Sequence, residues 1–239
     1  MISIQEAIKC VKDNCKPLLK EAIKPLEKSG NYILYKDIYA PINMPPFRQS
    51  AMDGYAVCIH EDENYSLIGE LKAGDHKNIA LKQGEAIRIF TGSPVPNNAN
   101  AILIQENVIR NKDTIYCKDE IRVDQNIRPL GEQVKKDDLA LAKGTKLTPA
   151  AIGYLSSIGI TEVSVFKKPS IALVTTGNEL IEPGQPLPHG KIYESNSKML
   201  QNALFNLKFY DVTTHKIKDD YIETYSTLKS LIHKKDLVI

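Results

Sequence analysis

Apolar residues at Ile4, Ala7, Ile8 and Val11 repeat at helical spacing, and Ser3 is followed three residues later by Glu6. That is a capping box ahead of an amphipathic stripe, and it predicts an opening helix of about three turns. Residues 16–41 mix helical and extended signals and resolve into neither. From Met44 to about Lys136 the pattern changes to short runs of β-forming residues punctuated by Pro and Gly: YSLIGELKAG, EAIRIFTG, AILIQENVI, DTIYC and EIRV. Short strands at such spacing predict a small β-rich domain, a compact barrel or a sandwich. Helical signal returns at Thr148, an N-cap followed by Pro149, with Ile152 and Leu155 on one side and Gly159 as the stop. ITEVSVF then reads as a strand.

The pattern of residues 170–239 is different. SIALVTTG is a continuous apolar run, as a strand buried on both faces requires. A helix with Met199, Leu200, Ala203, Leu204 and Leu207 on one side precedes the strand YDVTTHKI. Asp220 with Glu223 caps another helix carrying Ile222, Tyr225, Leu228 and Ile232, and DLVI is a third strand. Alternation of this kind predicts a parallel α/β sheet with right-handed crossovers, a βαβαβ unit left incomplete at Ile239.

Composition narrows the function classes. The 239 residues carry a net charge of +2, with 42% hydrophobic and 25% charged side chains, no Trp and 7% aromatic residues. The lysine pairs 135–136, 167–168 and 234–235 read as solvated surface, and nucleic acid is not an expected partner. The amphipathic N-terminus is not a signal peptide, and no apolar run approaches the ~18 residues of a membrane span. Cys10, Cys15, Cys58 and Cys117 form no CxxC pair, so reduced thiols and a cytoplasmic location are expected. His60, His76, His189, His215 and His233 show no metal-ligand spacing, and no P-loop, dinucleotide fingerprint or HExxH motif occurs.

Ligands of open parallel sheets bind outside the carboxyl ends of the strands. Two loops leave that edge here: TTGNELIEPGQPLPHG, with Glu179, and KDD, with Asp219 and Asp220. Carboxylates gathered there suit Mg²⁺, which takes oxygen ligands and substrate phosphates. The plainer readings stand beside this one. Asp219 or Asp220 reads equally as a helix cap, and Glu179 as a residue of a solvated loop. Asp53-Gly54 and Thr91-Gly92-Ser93-Pro94 read first as turns, the glycines supplying positive φ.

The segments PPFRQSAMDGYAV, GEAIRIFTGSPVPNNANAILIQE, NIRPLGEQ, LTPAAIGYLSSIGITEV, VTTGNELIEPGQPLPHGKIYESN and KDD, in this order, make the chain resemble the molybdopterin molybdenumtransferase family. The resemblance implies a multidomain α+β and α/β fold. An elongated N-terminal linker and dimerisation domain (1–44 plus 137–169) would hold an inserted β-rich domain (45–136) and precede the first part of a molybdopterin-binding α/β domain (170–239). It implies molybdenum cofactor biosynthesis: molybdate is inserted into adenylylated molybdopterin with release of AMP, aided by Mg²⁺. It also implies a homodimer and, as upstream partner, molybdopterin adenylyltransferase.

On the family's pattern Asp53 and Thr91 are catalytic on the β-rich face. Glu179 and Asp219 are catalytic and metal-binding on the α/β face. Cofactor contacts are implied for Ser50, Arg88, Gly92, Arg128, Thr176, Gly177 and Asn196. In such enzymes the site forms where the β-rich domain of one subunit meets the α/β domain of the other.

Two departures qualify the match. Gln133 stands where the family often has Asp. The family also continues past the point of Ile239 with a TSGGVS-type loop, so the chain alone is not expected to insert molybdenum. The competing reading is a non-catalytic dimerising platform that binds molybdopterin or a partner protein. Another α/β enzyme of a phosphorylated metabolite, and tungsten in place of molybdenum, are further alternatives.

Overall fold

The computed structural model describes residues 2–62, 64–75 and 79–239; His76 lies outside them. In chain order the elements are α1 (Ile4–Asn14), β1 (Glu21–Pro25), β2 (Ile38–Tyr39), β3 (Gln49–Ser50), β4 (Gly54–Val57), β5 (Asn64–Leu71), β6 (Glu85–Ile89) and β7 (Ala101–Ile104). Then come β8 (Val108–Asn111), β9 (Thr114–Cys117), β10 (Ile127–Arg128), β11 (Leu139–Leu141), α2 (Pro149–Ser157), β12 (Glu162–Phe166) and β13 (Ile171–Thr176). The last are β14 (Leu180–Ile181), β15 (Ile192–Tyr193), α3 (Asn196–Asn206), β16 (Val212–Ile217), α4 (Tyr221–Lys234) and β17 (Leu237–Val238). They form two compact units, Met1–Tyr35 with Glu162–Ile239, and Lys36–Thr161. No described helix is long and apolar enough to cross a membrane.

The unit Lys36–Thr161 is built on one six-stranded sheet in the order β7-β4-β6-β5-β9-β8. Its pairs are antiparallel except β5 with β6. Successive residues bury on opposite faces: Tyr55, Val57, Tyr65, Ala101 and Leu103 on one, Ala56, Ile87, Ile89 and Ile102 on the other. With both faces covered, β4 and β7 read as apolar runs without polar alternation. The run EIRV is not a strand. Asp124 and Asn126 adopt positive φ just after it, and the Arg122 N–H donates to the Gln125 side chain, which fixes a loop instead. Pairing resumes at β10, against β3. α2 begins as expected, with Thr148 Oγ1 accepting from the Ala151 N–H at 3.2 Å, and Gly159 follows it at φ +86°.

In the other unit, residues expected to be indeterminate supply β1, which pairs antiparallel with β12. α1 has its capping box but buries none of its residues; Ile4, Ile8 and Val11 are 75%, 50% and 66% exposed. Cys10 on α1 and Cys15 at its end are exposed free thiols, while Cys58 and Cys117 are half-buried and equally unpaired. The parallel sheet has the order β16-β13-β17, with α3 and α4 as its connections and Ile171, Ala172 and Leu173 buried at its centre. The apolar stripes expected to pack on it are only partly inward. Met199, Ala203, Leu207, Ile222, Tyr225 and Ile232 are exposed; of the expected residues Leu200, Leu204 and Leu228 are half-buried, and Leu231, not among them, is buried.

Asp236 ties this unit together. Its carboxylate accepts from Lys20 Nζ at 2.6 Å and from the Ser170 N–H and Oγ at 3.0 and 2.9 Å, joining the starts of β13 and β17 to the N-terminal segment. Two of the lysines read as solvated are also structural. Lys168 Nζ lies 4.6 Å from the Tyr32 ring centre, and Lys235 pairs with Asp211 at 3.1 Å.

Candidate functional site

Strand register builds the first group of candidate residues. Gly54 on β4 pairs antiparallel with Ile89 on β6, so the residue before the first and the residues after the second become neighbours. Asp53 and Thr91 meet there: Asp53 Oδ1 accepts from the Thr91 N–H and from Thr91 Oγ1, both at 2.8 Å. The bond from the Thr91 backbone, then that from its hydroxyl, hold the Asp53 carboxyl below the usual aspartate range, with Arg88 adding a smaller pull. Asp53 is therefore an anion at neutral pH, with both donors on one of its oxygens. Thr91 sits in a turn closed by the Ser93 N–H donating to the Phe90 carbonyl at 2.9 Å, with Gly92 at φ +85°.

Gly54 is held for another reason than the one expected. It has no positive φ; a Cβ there would sit 1.9 Å from the Leu103 carbonyl oxygen on β7. Its glycine permits close backbone approach, which fixes where Asp53 stands.

The remaining residues of this face divide by what they touch. Ser50 is buried; its hydroxyl donates to the Met52 carbonyl at 2.6 Å, and its own carbonyl accepts from the Gly92 N–H at 2.9 Å. Both are thus engaged in holding the turn. Arg128 Nε pairs with Glu132 at 2.8 Å. Arg88 donates to the Gly54 carbonyl at 3.1 Å and to Gln105 Oε1 at 2.5 Å. The buried Ser93 hydroxyl, read in the sequence only as part of a turn, has no hydrogen-bond partner.

In the other unit, Thr176 ends β13 opposite Ile217, the end of β16, and the Gly177 N–H donates to the Ile217 carbonyl at 3.3 Å. The loops bearing Glu179 and Asp219 therefore leave one sheet edge. A Cβ on Gly177 would lie 2.8 Å from either Glu179 carboxylate oxygen, so that carboxylate is folded back over the glycine. Asp220 is the cap of α4, accepting from the Glu223 N–H at 2.8 Å; Asp219 is exposed and outside the cap. Thr176 and Asn196 are exposed, Asn196 as the first residue of α3.

Three residues here escaped the sequence reading. Lys191 Nζ donates to the Asn178 carbonyl at 2.9 Å and Lys216 Nζ to that of Leu180, so two ammonium groups bracket Glu179. Glu194 is buried, and its carboxylate accepts from the Ser197 N–H at 2.8 Å. Burial alone would raise its pKa; the bonds from Ser197 and Asn196, with Lys198, outweigh that and lower it. Glu194 stands three residues before Ser197, the reverse of a capping box, so no local rule announced it. Among the described residues no three His, Cys, Asp or Glu gather as a metal site.

Residues 2–159 match the family model of the MoeA N-terminal region, domains I and II. Over 218 residues the chain is 35% identical to molybdopterin molybdenumtransferase of Haemophilus influenzae, covering 90% of this chain and 54% of that protein. Over 223 residues it is 34% identical to the Staphylococcus aureus (strain Mu50) protein of the same name, covering 90% and 53%. The crystal structure of the molybdopterin biosynthesis moeA protein from Pyrococcus horikoshii OT3 superposes with a TM-score of 0.88 at 32% identity, covering all of this chain and 65% of that one. The chain spans about half the length of the curated relatives it matches.

Proposed function

Since the chain belongs to the family of the MoeA N-terminal region, we propose that it acts in molybdenum cofactor biosynthesis as the corresponding part of a molybdopterin molybdenumtransferase. The reaction is transfer of molybdate to adenylylated molybdopterin with release of AMP. The observation that carries this reading is the Asp53–Thr91 pair, two residues 38 apart in sequence drawn together at 2.8 Å on the segments that bear the resemblance. The domains we assign are a linker and dimerisation domain of residues 1–44 and 137–169, an inserted β-rich domain of 45–136, and an α/β domain from 170. The protein works as a homodimer downstream of molybdopterin adenylyltransferase, and the β-rich face of one subunit completes the α/β face of the other.

The tasks of the side chains follow from their chemistry. Asp53, kept ionised by Thr91, is a fixed negative charge and acceptor beside the reacting phosphates. Glu179 and Asp219 are oxygen donors at one sheet edge and suit a Mg²⁺ that takes its other ligands from water and substrate phosphates. Held there, such an ion would offset phosphate charge during cleavage of the phosphoanhydride. Lys191 and Lys216 add positive charge at the same loop. Thr176 and Asn196 are left to meet the pterin nucleotide, while Arg128 already holds Glu132 through Nε. The Gly92 and Gly177 amides are already used within the protein, so their part is to let backbone approach.

The test takes a full-length relative in which residues 1–239 of this chain replace the matching part, incubates it with adenylylated molybdopterin, molybdate and Mg²⁺, and follows retained pterin nucleotide and released AMP. AMP release that needs both molybdate and Asp53 supports the enzymatic reading. Retention without release favours a binding platform, and no retention overturns both.

A further inference from the structure

Arg88 stood in the sequence as a cation for the ligand, yet its guanidinium is spent on the protein. It lies on β6 opposite Tyr55 of β4. Its Nη1 donates to the Gly54 carbonyl at 3.1 Å and its Nη2 to Gln105 Oε1 at 2.5 Å. The guanidinium lies over two rings, with Cζ 5.1 Å from the Tyr55 ring centre and 5.0 Å from that of Phe90. Gln105 closes the network: its backbone N–H donates to the Asp53 carbonyl at 3.2 Å. Its side-chain amide donates to Glu106 at 3.0 Å, which orients Oε1 toward the arginine.

We infer that Arg88 is a positioning residue, a planar clamp that sets the backbone on both sides of the Asp53–Thr91 pair. On one side it fixes Gly54, the residue after Asp53, and through Gln105 the carbonyl of Asp53 itself. On the other its charge lies over the ring of Phe90, the residue before Thr91. The bonds between Asp53 and Thr91 demand that two separate strand ends agree to within a fraction of an ångström. A single rigid fork touching both ends supplies that agreement. Lysine would keep the charge but lacks the paired donors to span Gly54 and Gln105. The inference gives Arg88 its place within the proposed reading of the site, but the geometry it describes belongs to the free protein.

The test is therefore made on the free chain, by following the Thr91 amide resonance through a pH titration and its exchange with deuterated water. In the unaltered chain that resonance titrates with Asp53, below the ordinary aspartate range. In Arg88→Lys and Arg88→Met the amide signal should move upfield and lose most of its pH-dependent shift. Its exchange should quicken about tenfold or more. Gln105→Ala, which removes one arm of the clamp and leaves the arginine, should shift the same signals in the same direction by less. It is also the readout if an Arg88 variant melts below the working temperature. An unchanged Thr91 titration in Arg88→Lys would mean that charge alone suffices, and unchanged signals in Gln105→Ala would mean that the arm from Arg88 to Gln105 Oε1 positions nothing. Either overturns the inference. No molybdenum chemistry enters these readings, so a failure of the proposed activity leaves them standing.

Discussion

Asp53 and Gly54 are adjacent but should respond to substitution in opposite ways. A Cβ at position 54 meets the Leu103 carbonyl oxygen at 1.9 Å, a contact that only movement of β4 or β7 can relieve. Gly54→Ala should therefore cost ~3 kcal/mol or more, read as a lowered denaturant midpoint. Asp53→Ala removes an acceptor at the end of the strand and clashes with nothing, so it should lower the same midpoint far less than Gly54→Ala. The same change should remove molybdate-dependent AMP release in the proposed reaction. Measuring both on one preparation separates the roles, because stability and activity falling together would make Asp53 a structural turn residue. Asp236 gives a prediction in pH. Lys20 first, then Ser170, lowers its pKa in the folded chain, whereas the unfolded chain takes up that proton near pH ~3.9. Its contribution is thus complete above that range and lost as pH falls toward the lowered folded value. Asp236→Asn should reduce the melting temperature at neutral pH and flatten its decline below about pH 4.

Among the elements, α4 resolves an ambiguity that two adjacent aspartates posed. Asp220→Ala removes a cap and should cost about 1 kcal/mol, while Asp219→Ala should leave the melt unchanged and weaken the proposed Mg²⁺ dependence. Thermal melts of the two variants side by side test this, and equal destabilisation would return Asp219 to a structural role. The caps of α1, α2 and α4 were legible because each is a contact within three residues. The parallel order of β13, β16 and β17 was legible from the alternation of apolar runs with helical periods. The inward faces of α3 and α4 were not. Both helices have apolar residues on more than one flank, and periodicity does not say which flank meets the sheet. EIRV has strand composition, but the positive φ of Asp124 and Asn126 depends on side-chain bonds that composition does not encode. In the site, Asp53 and Thr91 were reached through family resemblance, and their contact follows from a register. The parts taken by Arg88, Lys191 and Lys216 depend on partners distant in sequence, and no local spacing announces them.

For the whole molecule, the decisive feature is the uncovered stripe of α1. A capped amphipathic helix that buries nothing within its own chain has an apolar face available to a second copy. Sedimentation at micromolar protein should give a dimer, and Ile8→Asp should shift it toward monomer; a strict monomer throughout counts against the proposed assembly. The same helix also makes that question visible by light. Cys10 sits one residue before Val11 of the stripe and is exposed, whereas Cys58 and Cys117 are half-buried. Brief treatment with a polarity-sensitive maleimide should mark Cys10 and Cys15 ahead of the other two. With Cys15→Ser the emission colour of the dye becomes a report on one helix face, read continuously against dilution and without separating species.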